Sequence, residues 1–148
     1  MKTLIKKLTA TDAGWSALAL RIPVGIIFAA HGAQKLFGWF GGYGLEGTAG
    51  WMDSIGLSPG MLMALLAGAA EFFGGLALVI GLLTRPAAAA LSVAMLVAIF
   101  AVHFQNGLFM ANNGYEFGLA LLAASVSLLF SGAGKFSIDN LLSGKLSR

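Results

Sequence analysis

Arg21, His31 and Lys35 fall within one apolar stretch, Arg21-Ile-Pro-Val-Gly-Ile-Ile-Phe-Ala-Ala-His-Gly-Ala-Gln-Lys35. Ionisable side chains are costly in hydrocarbon, so inside a membrane span they mark a partner, a cavity or a functional path. At about 100° per residue, Arg21, Gly25, Phe28, Gly32 and Lys35 align as one stripe, with His31 on its edge and Ile22, Ile26 and Ile27 turned away. Three further titratable groups follow. Glu71 is the single charge of a second apolar run, His103 stands at the end of a third, and Glu116 opens a fourth. Two acids, a lysine and two neutral imidazoles brought together would form a paired, hydrogen-bonded cluster that can hold a polar ligand and relay protons.

Most of these groups also have a plainer role open to them. Helical side chains lean toward the helix N-terminus, so Arg21 either extends to the nearer headgroup layer or forms a buried pair with Glu71. Asn113-Gly-Tyr-Glu116 reads as a capping box, in which the Glu reaches back to the cap N–H. His103, followed closely by Gln105 and Asn106, suits a helix end at a membrane interface. Lys35 is harder to explain this way, because Leu36-Phe37-Gly38-Trp39-Phe40 extend the apolar segment beyond it. Glu71 has neither a capping nor a snorkelling explanation, since it lies deep on a face shared with Ala64, Gly68 and Gly75. Glu71 and His31 are therefore the candidate catalytic groups, and Arg21, His31, Lys35, His103 and Glu116 the candidate ligand-binding groups. No metal site is expected.

The elements that carry these residues must be membrane helices. The chain has 148 residues, of which 58% are hydrophobic and only 10% charged, and its mean hydropathy is +0.87. Soluble domains carry about 25% charged residues, so the composition points to a single helical membrane domain over residues 1–148. There is no cysteine, which excludes disulfides, thiolate ligands and thiol redox chemistry within the chain. The N-terminus lacks the continuous apolar core of a signal peptide, so the first span is expected to stay as an anchor.

Periodicity and breakers predict spans at about 15–37, 59–82, 86–104 and 115–131. The fold expected is an all-α, four-transmembrane-helix antiparallel bundle with short amphipathic surface helices at both ends. Leu4, Ile5 and Leu8 mark the first surface helix, and Ile138, Leu141, Leu142 and Leu146 the last. Asp12 is expected to cap the first span, Ser58-Pro59 to open the second, and Ser137 to cap the tail helix. Residues 38–60, rich in Gly and aromatics, form either a lid or binding element, or a segment lying on the surface with Thr48 capping a short helix. Trp39, Phe40, Tyr43 and Trp51 suit an aromatic belt. Lys2, Lys6, Lys7, Arg85, Lys135, Lys145 and Arg148 all fall on one side, which predicts cytoplasmic termini; the net charge of +3 is an orientation signal and no nucleic-acid patch. Arg21 then lies near the cytoplasmic side, and His31, Lys35, His103 and Glu116 in the outer half. Glu71 is about ten residues, roughly 15 Å, into its span and so near mid-membrane.

Several of these residues, in this order, resemble the DoxX family of small four-span bacterial membrane proteins. The matching pieces are Arg21-x3-Gly25-x2-Phe28-x2-His31-Gly32-x2-Lys35, Glu71-x2-Gly74-Gly75, Gly81-x2-Thr84-Arg85-Pro86, His103 and Glu116. The resemblance spans about residues 15–140. It implies a multi-pass protein of the bacterial inner membrane, in a family with members linked to thiosulfate:quinone oxidoreductase, to protection against quinones or catechols, or to complexes with soluble redox enzymes. With no Cys here, a sulfur-handling step would need a partner subunit.

The function expected is a quinone-linked redox or quinone-protection component with its polar site in the outer half of the bundle. A quinone needs an apolar slot, donors for its carbonyls and a proton route. Haem held by His31 and His103 is the weaker cofactor reading, because His103 sits about two helical turns nearer the surface. Expected partners are the lipid bilayer, a membrane quinone, a soluble or membrane redox protein and further copies of the chain, with no nucleic acid. Two other classes compete: a non-catalytic scaffold that recruits a soluble redox partner, and proton-coupled transport of a small solute through Glu71.

Overall fold

The computed structural model describes residues 2–11 and 13–146, apart from the side chains of Lys2, Leu4, Lys6, Lys145 and Leu146. The expected Asp12 cap, and the cationic groups of Lys2, Lys6, Lys145 and Arg148, lie outside the described residues. Among those described, the chain is helical with no strand. Short α1 (Lys2–Thr9) precedes α2 (Trp15–Phe37), the long helix that carries Arg21, His31 and Lys35. A 3-10 turn (Trp39–Gly41) and α3 (Gly44–Ser54) form the connection to α4 (Gly60–Ile80). Next comes α5 (Thr84–Ala98), which runs into a π turn (Ile99–His103) and a 3-10 turn (Phe104–Asn106). After a further 3-10 turn at Met110–Asn112, α6 (Glu116–Ser131) and α7 (Ile138–Leu146) complete the chain.

Helices α2, α4, α5 and α6 form an antiparallel bundle, with α2 packed chiefly on α4 and α5 on both α4 and α6. One end of the bundle, here the terminal end, holds the start of α2, the α4–α5 turn and the end of α6. The other, the loop end, holds α3 and the 103–116 connection. Phe28, Leu78, Leu91, Leu121 and Leu128 fill the shared core. α1 packs on α7 across the terminal end.

Three segments are long and apolar enough to cross a membrane: Trp15–Phe37, Gly60–Ile80 and Thr84–Asn106. α6 differs from the expectation of a fourth full-length span. Its 16 residues extend about 24 Å, short of the ~30 Å hydrocarbon core. Its last turn and the segment after it are tied to the terminal end, where the Ser131 carbonyl accepts from Thr11 and the Lys135 N–H donates to the Gly14 carbonyl.

The α2–α4 contact is made backbone to backbone. A Cβ on Gly25 would lie 2.7 Å from the Gly75 carbonyl oxygen, one on Gly75 would overlap the Ala29 backbone, and one on Gly32 would overlap the Phe72 backbone. The small-residue face expected on α4 is the buried one: Ala64, Gly68, Glu71, Gly74, Gly75 and Leu78. On α2, Arg21, Gly25, Phe28 and Gly32 are buried as the stripe requires, while Ile26 faces outward.

Caps are where the structure departs from local expectation. α4 begins at Gly60 with extended Pro59 before it, and Ser58 makes no cap bond to the helix. The acceptor comes from α3: Asp53 Oδ1 takes the Gly60 N–H at 2.8 Å and the Ser58 hydroxyl at 2.7 Å. α5 is capped in the same manner by Asp139 of α7, whose carboxylate accepts the Leu83 and Thr84 N–H groups at 2.7 and 2.8 Å. A negative charge at a helix N-terminus meets unsatisfied N–H groups and the positive end of the dipole. Ser137 does cap α7, accepting the Asn140 N–H at 3.2 Å. Thr48, expected at a helix start, is instead buried inside α3, whose N-cap is Tyr43.

Two measurements test this packing. Gly32→Ala is expected to cost about 1–3 kcal/mol by overpacking, read as a lowered unfolding midpoint in detergent. Gly50→Ala, where a Cβ meets open space, should leave the midpoint unchanged or slightly raised. The hydrogen bonds from Ser58 and Gly60 hold the Asp53 carboxyl below the usual 3.8. Its contribution is therefore present above about pH 4 and is lost as pH falls through the folded-state value. A pH series of tryptophan fluorescence melts should show a wild-type advantage over Asp53→Asn at pH 7 that shrinks in acid.

Candidate functional site

At the loop end, the last turn of α2 meets α4 where Gly68 leaves room for the side chains of Lys35 and Leu36. Lys35 Nζ donates to Glu71 Oε2 at 2.6 Å, and this is the one salt bridge among the described residues. The Glu71 side chain is 6% exposed and that of Lys35 24%. The geometry is that of a short charge-assisted hydrogen bond. It pairs a carboxylate that would be prohibitively costly alone in this environment. Lys35 uses one of its three ammonium donors on Glu71, leaving two for another acceptor.

Lys35 also borders a cavity of about 510 Å³ between the end of α2, the 3-10 turn and α3. Gln34, Lys35, Tyr43, Thr48 and Trp51 line it, and Gly41, Gly42 and Gly47 keep its rim narrow. Gly38 ends α2 at φ +71 and turns the chain back. Gly42 then packs so closely on Gln34 that a Cβ there would strike the Gln34 backbone. Gln34 Nε2 donates to the Phe40 carbonyl at 3.3 Å, and Thr48 Oγ1 reaches the Lys35 carbonyl at 3.5 Å. All four residues of the expected aromatic belt, Trp39, Phe40, Tyr43 and Trp51, are exposed, and Tyr43 and Trp51 also line the cavity. Gln34 and Thr48 line the cavity without being among the expected site residues. Gln34 carried a signal, a neutral amide beside Lys35 in an apolar span.

The other expected residues are placed apart from the pair. His31 is exposed, gives Nδ1 to the Ile27 carbonyl at 2.9 Å, and lies against Phe117 of α6 with ring centroids 6.0 Å apart. It does not line the cavity. His103 Nδ1 bonds the Asn113 carbonyl at 2.9 Å, which also accepts from Asn106 at 3.1 Å. Glu116 Oε1 accepts the Met110 N–H at 2.6 Å, so its backbone target is not the Asn113 N–H of the expected capping box. Phe104 stacks on Tyr115 with centroids 5.6 Å apart. His103 and Glu116 thus brace the 103–116 connection, the π turn ending at His103 itself.

Arg21 is at the opposite end and is completely buried. Neither expected arrangement is found: it does not reach a headgroup layer and does not pair with Glu71. Its Nε and two Nη groups donate to the carbonyls of Leu78 and Val79 at the end of α4, and of Ala133, Lys135 and Phe136 in the α6–α7 turn. Five donors meet five acceptors, a match that planar guanidinium achieves and ammonium cannot. The last carbonyls of α4 carry the negative end of its dipole, and Asp139 adds a carboxylate nearby. Gly81 makes room, for at φ +68 it is left-handed and a Cβ there would approach Arg21 Cζ to 3.2 Å.

Comparison with known proteins agrees with this architecture. The DoxX family model matches residues 16–104, from the start of α2 through the π turn. An Escherichia coli protein named "Inner membrane protein YqjF" is 34% identical over 134 residues, covering 86% of this chain and 92% of its own. A Bacillus subtilis protein named "Putative oxidoreductase CatD" is 34% identical over 122 residues, covering 82% and 83%. A Mycobacterium tuberculosis protein named "Uncharacterized membrane protein Rv3486" is 31% identical over 138 residues, covering 86% and 82%. No solved structure matches. With all-helical architecture, three spans of membrane-crossing length and a family match over most of the bundle, the chain is a membrane protein of the DoxX family.

Proposed function

We propose that this protein binds a quinone at the loop end of the bundle and serves a quinone-linked redox or quinone-protection role in a bacterial inner membrane. The observation that carries the reading is the 510 Å³ cavity bordered by Lys35, whose ammonium is paired with the buried Glu71. That volume lies within the about 300–1,000 Å³ usual for small-molecule sites. The donor set fits a quinone: the spare Lys35 donors would meet one carbonyl, and the Tyr43 hydroxyl or Gln34 amide the other. Tyr43 and Trp51 offer apolar ring faces. A bound quinone would supply a two-electron, two-proton couple. The burial of Glu71 beside Lys35 Nζ supports a part for it in proton transfer to the bound ring. The name of the Bacillus subtilis relative supports a redox role, and those of the other two support the membrane setting.

In this reading α6 completes a fourth crossing and the termini are cytoplasmic, supported by Lys7, Arg85 and Lys135 at the terminal end. The site then faces the outer half of the bilayer. Arg21 takes a structural part, and His103 and Glu116 shape the loop end without touching ligand.

The test is binding of a short-chain quinone to purified protein in mild detergent. Lys35→Met is expected to weaken binding at least about tenfold and to destabilise the fold by about 3 kcal/mol, because it strands the buried Glu71. Lys35→Met with Glu71→Leu should recover the stability and not the binding. His31→Ala should change affinity less than about twofold, since His31 is outside the cavity. Stability losses with no quinone binding in the wild type would make the pair a packing element and reject the reading.

A further inference from the structure

The terminal end carries a second concave surface that the quinone reading does not use. A groove of about 560 Å³ runs between the end of α4 and the start of α7, lined by Ile80, Lys135, Phe136, Asn140 and Leu141. We propose that it seats the headgroup of an anionic phospholipid, with Lys135 on the phosphate and the apolar wall against the acyl chains.

Charge is the first argument. The Lys135 ammonium lies 5.2 Å from the centroid of the Trp15 ring and makes no ion pair or hydrogen bond among the described residues. A cation over an indole face keeps its donors for an outside acceptor. No acidic side chain among the described residues offsets it. Asp139, next to the lining residues, is 1% exposed and spends both oxygens on the Leu83 and Thr84 N–H groups.

Position is the second. Ile80 is the last residue of α4 and Trp15 the first of α2, so the groove lies beside the ends of two helices long and apolar enough to cross a membrane. Trp at such a boundary marks the headgroup layer. Ile80, Phe136 and Leu141 are 47%, 74% and 68% exposed, an apolar wall, and Leu76 and Phe73, one and two turns before Ile80 on α4, are exposed as well. An acidic protein segment would meet the lysine and leave that wall without use. A phospholipid matches both halves.

Rigidity is the third. Phe136 sits at φ +50, unusual for a residue with a side chain, and its ring packs on Trp15 with centroids 5.3 Å apart. The conformation is held because Arg21 binds the Lys135 and Phe136 carbonyls from inside and Gly14 accepts the Lys135 N–H. The groove is formed before any lipid arrives, which lowers the ordering cost of binding.

Native mass spectrometry of the full chain, released from detergent containing either phosphatidylglycerol or phosphatidylcholine, tests this. Wild type should retain one phosphatidylglycerol in preference to phosphatidylcholine. Lys135→Gln should lower that retention at least about fivefold, with an unchanged unfolding midpoint in lipid-free detergent because the side chain is exposed. Lys7→Gln, an exposed cation on α1 at the same end, should retain lipid as wild type does. Equal retention of the two lipids, unchanged retention by Lys135→Gln, or an equal loss in Lys7→Gln would overturn the proposal. So would loss of an acidic protein partner in Lys135→Gln with phosphatidylglycerol retention intact.

Discussion

The close approach of α2 and α4 is the constraint on which the rest of this structure depends. Gly25, Gly32 and Gly75 let the two backbones touch, and the charged groups of α2 reach their partners on α4 only at that separation. Lys35 meets Glu71 at one end of the contact; Arg21 meets the Leu78 and Val79 carbonyls at the other. In lipid there is little hydrophobic force between apolar helices, so backbone contact and satisfied polar groups carry the association. An added methyl group at the crossing acts on the helix pair and on both charged sites together.

The two ends handle buried charge in different ways, and this is why they differ chemically. Arg21 is enclosed by carbonyls and has no donor left, which suits a fixed strut joining α2, α4 and the α6–α7 turn. The same strut holds the backbone beneath Lys135 and Phe136 on the surface. Lys35 borders a cavity, and its ammonium has one partner, the single carboxylate of Glu71. The guanidinium at the terminal end has all its donors used, and the ammonium at the loop end keeps two. The difference between guanidinium and ammonium is part of the same division.

Residues 38–60 show how a sequence can contain a site without naming its geometry. Their glycines and aromatics marked them as a lid or a surface segment. The structure uses the glycines to fold α3 back over the end of α2, so that Thr48 is buried against the Lys35 carbonyl and Tyr43 and Trp51 line the same cavity as the lysine. The caps make the same point. Ser58 was the local choice for α4, but Asp53 takes the role from seven residues away, and Asp139 reaches α5 from more than fifty.

Hydropathy and periodicity by themselves determined α2 at 15–37, the small-residue face of α4, the neighbouring pair α4 and α5, and the stripe from Arg21 to Lys35. These follow from repeating local geometry and from the cost of exposing charge to lipid, both of which are written into residue order. Only the tertiary structure decided that Glu71 belongs to Lys35, that Arg21 binds carbonyls, and that His31, His103 and Glu116 stand apart from the pair. The choice of partner depends on how far one helix is displaced along and rotated about its neighbour. Sequence spacing sets the face on which a side chain stands, but that offset exists only between packed helices.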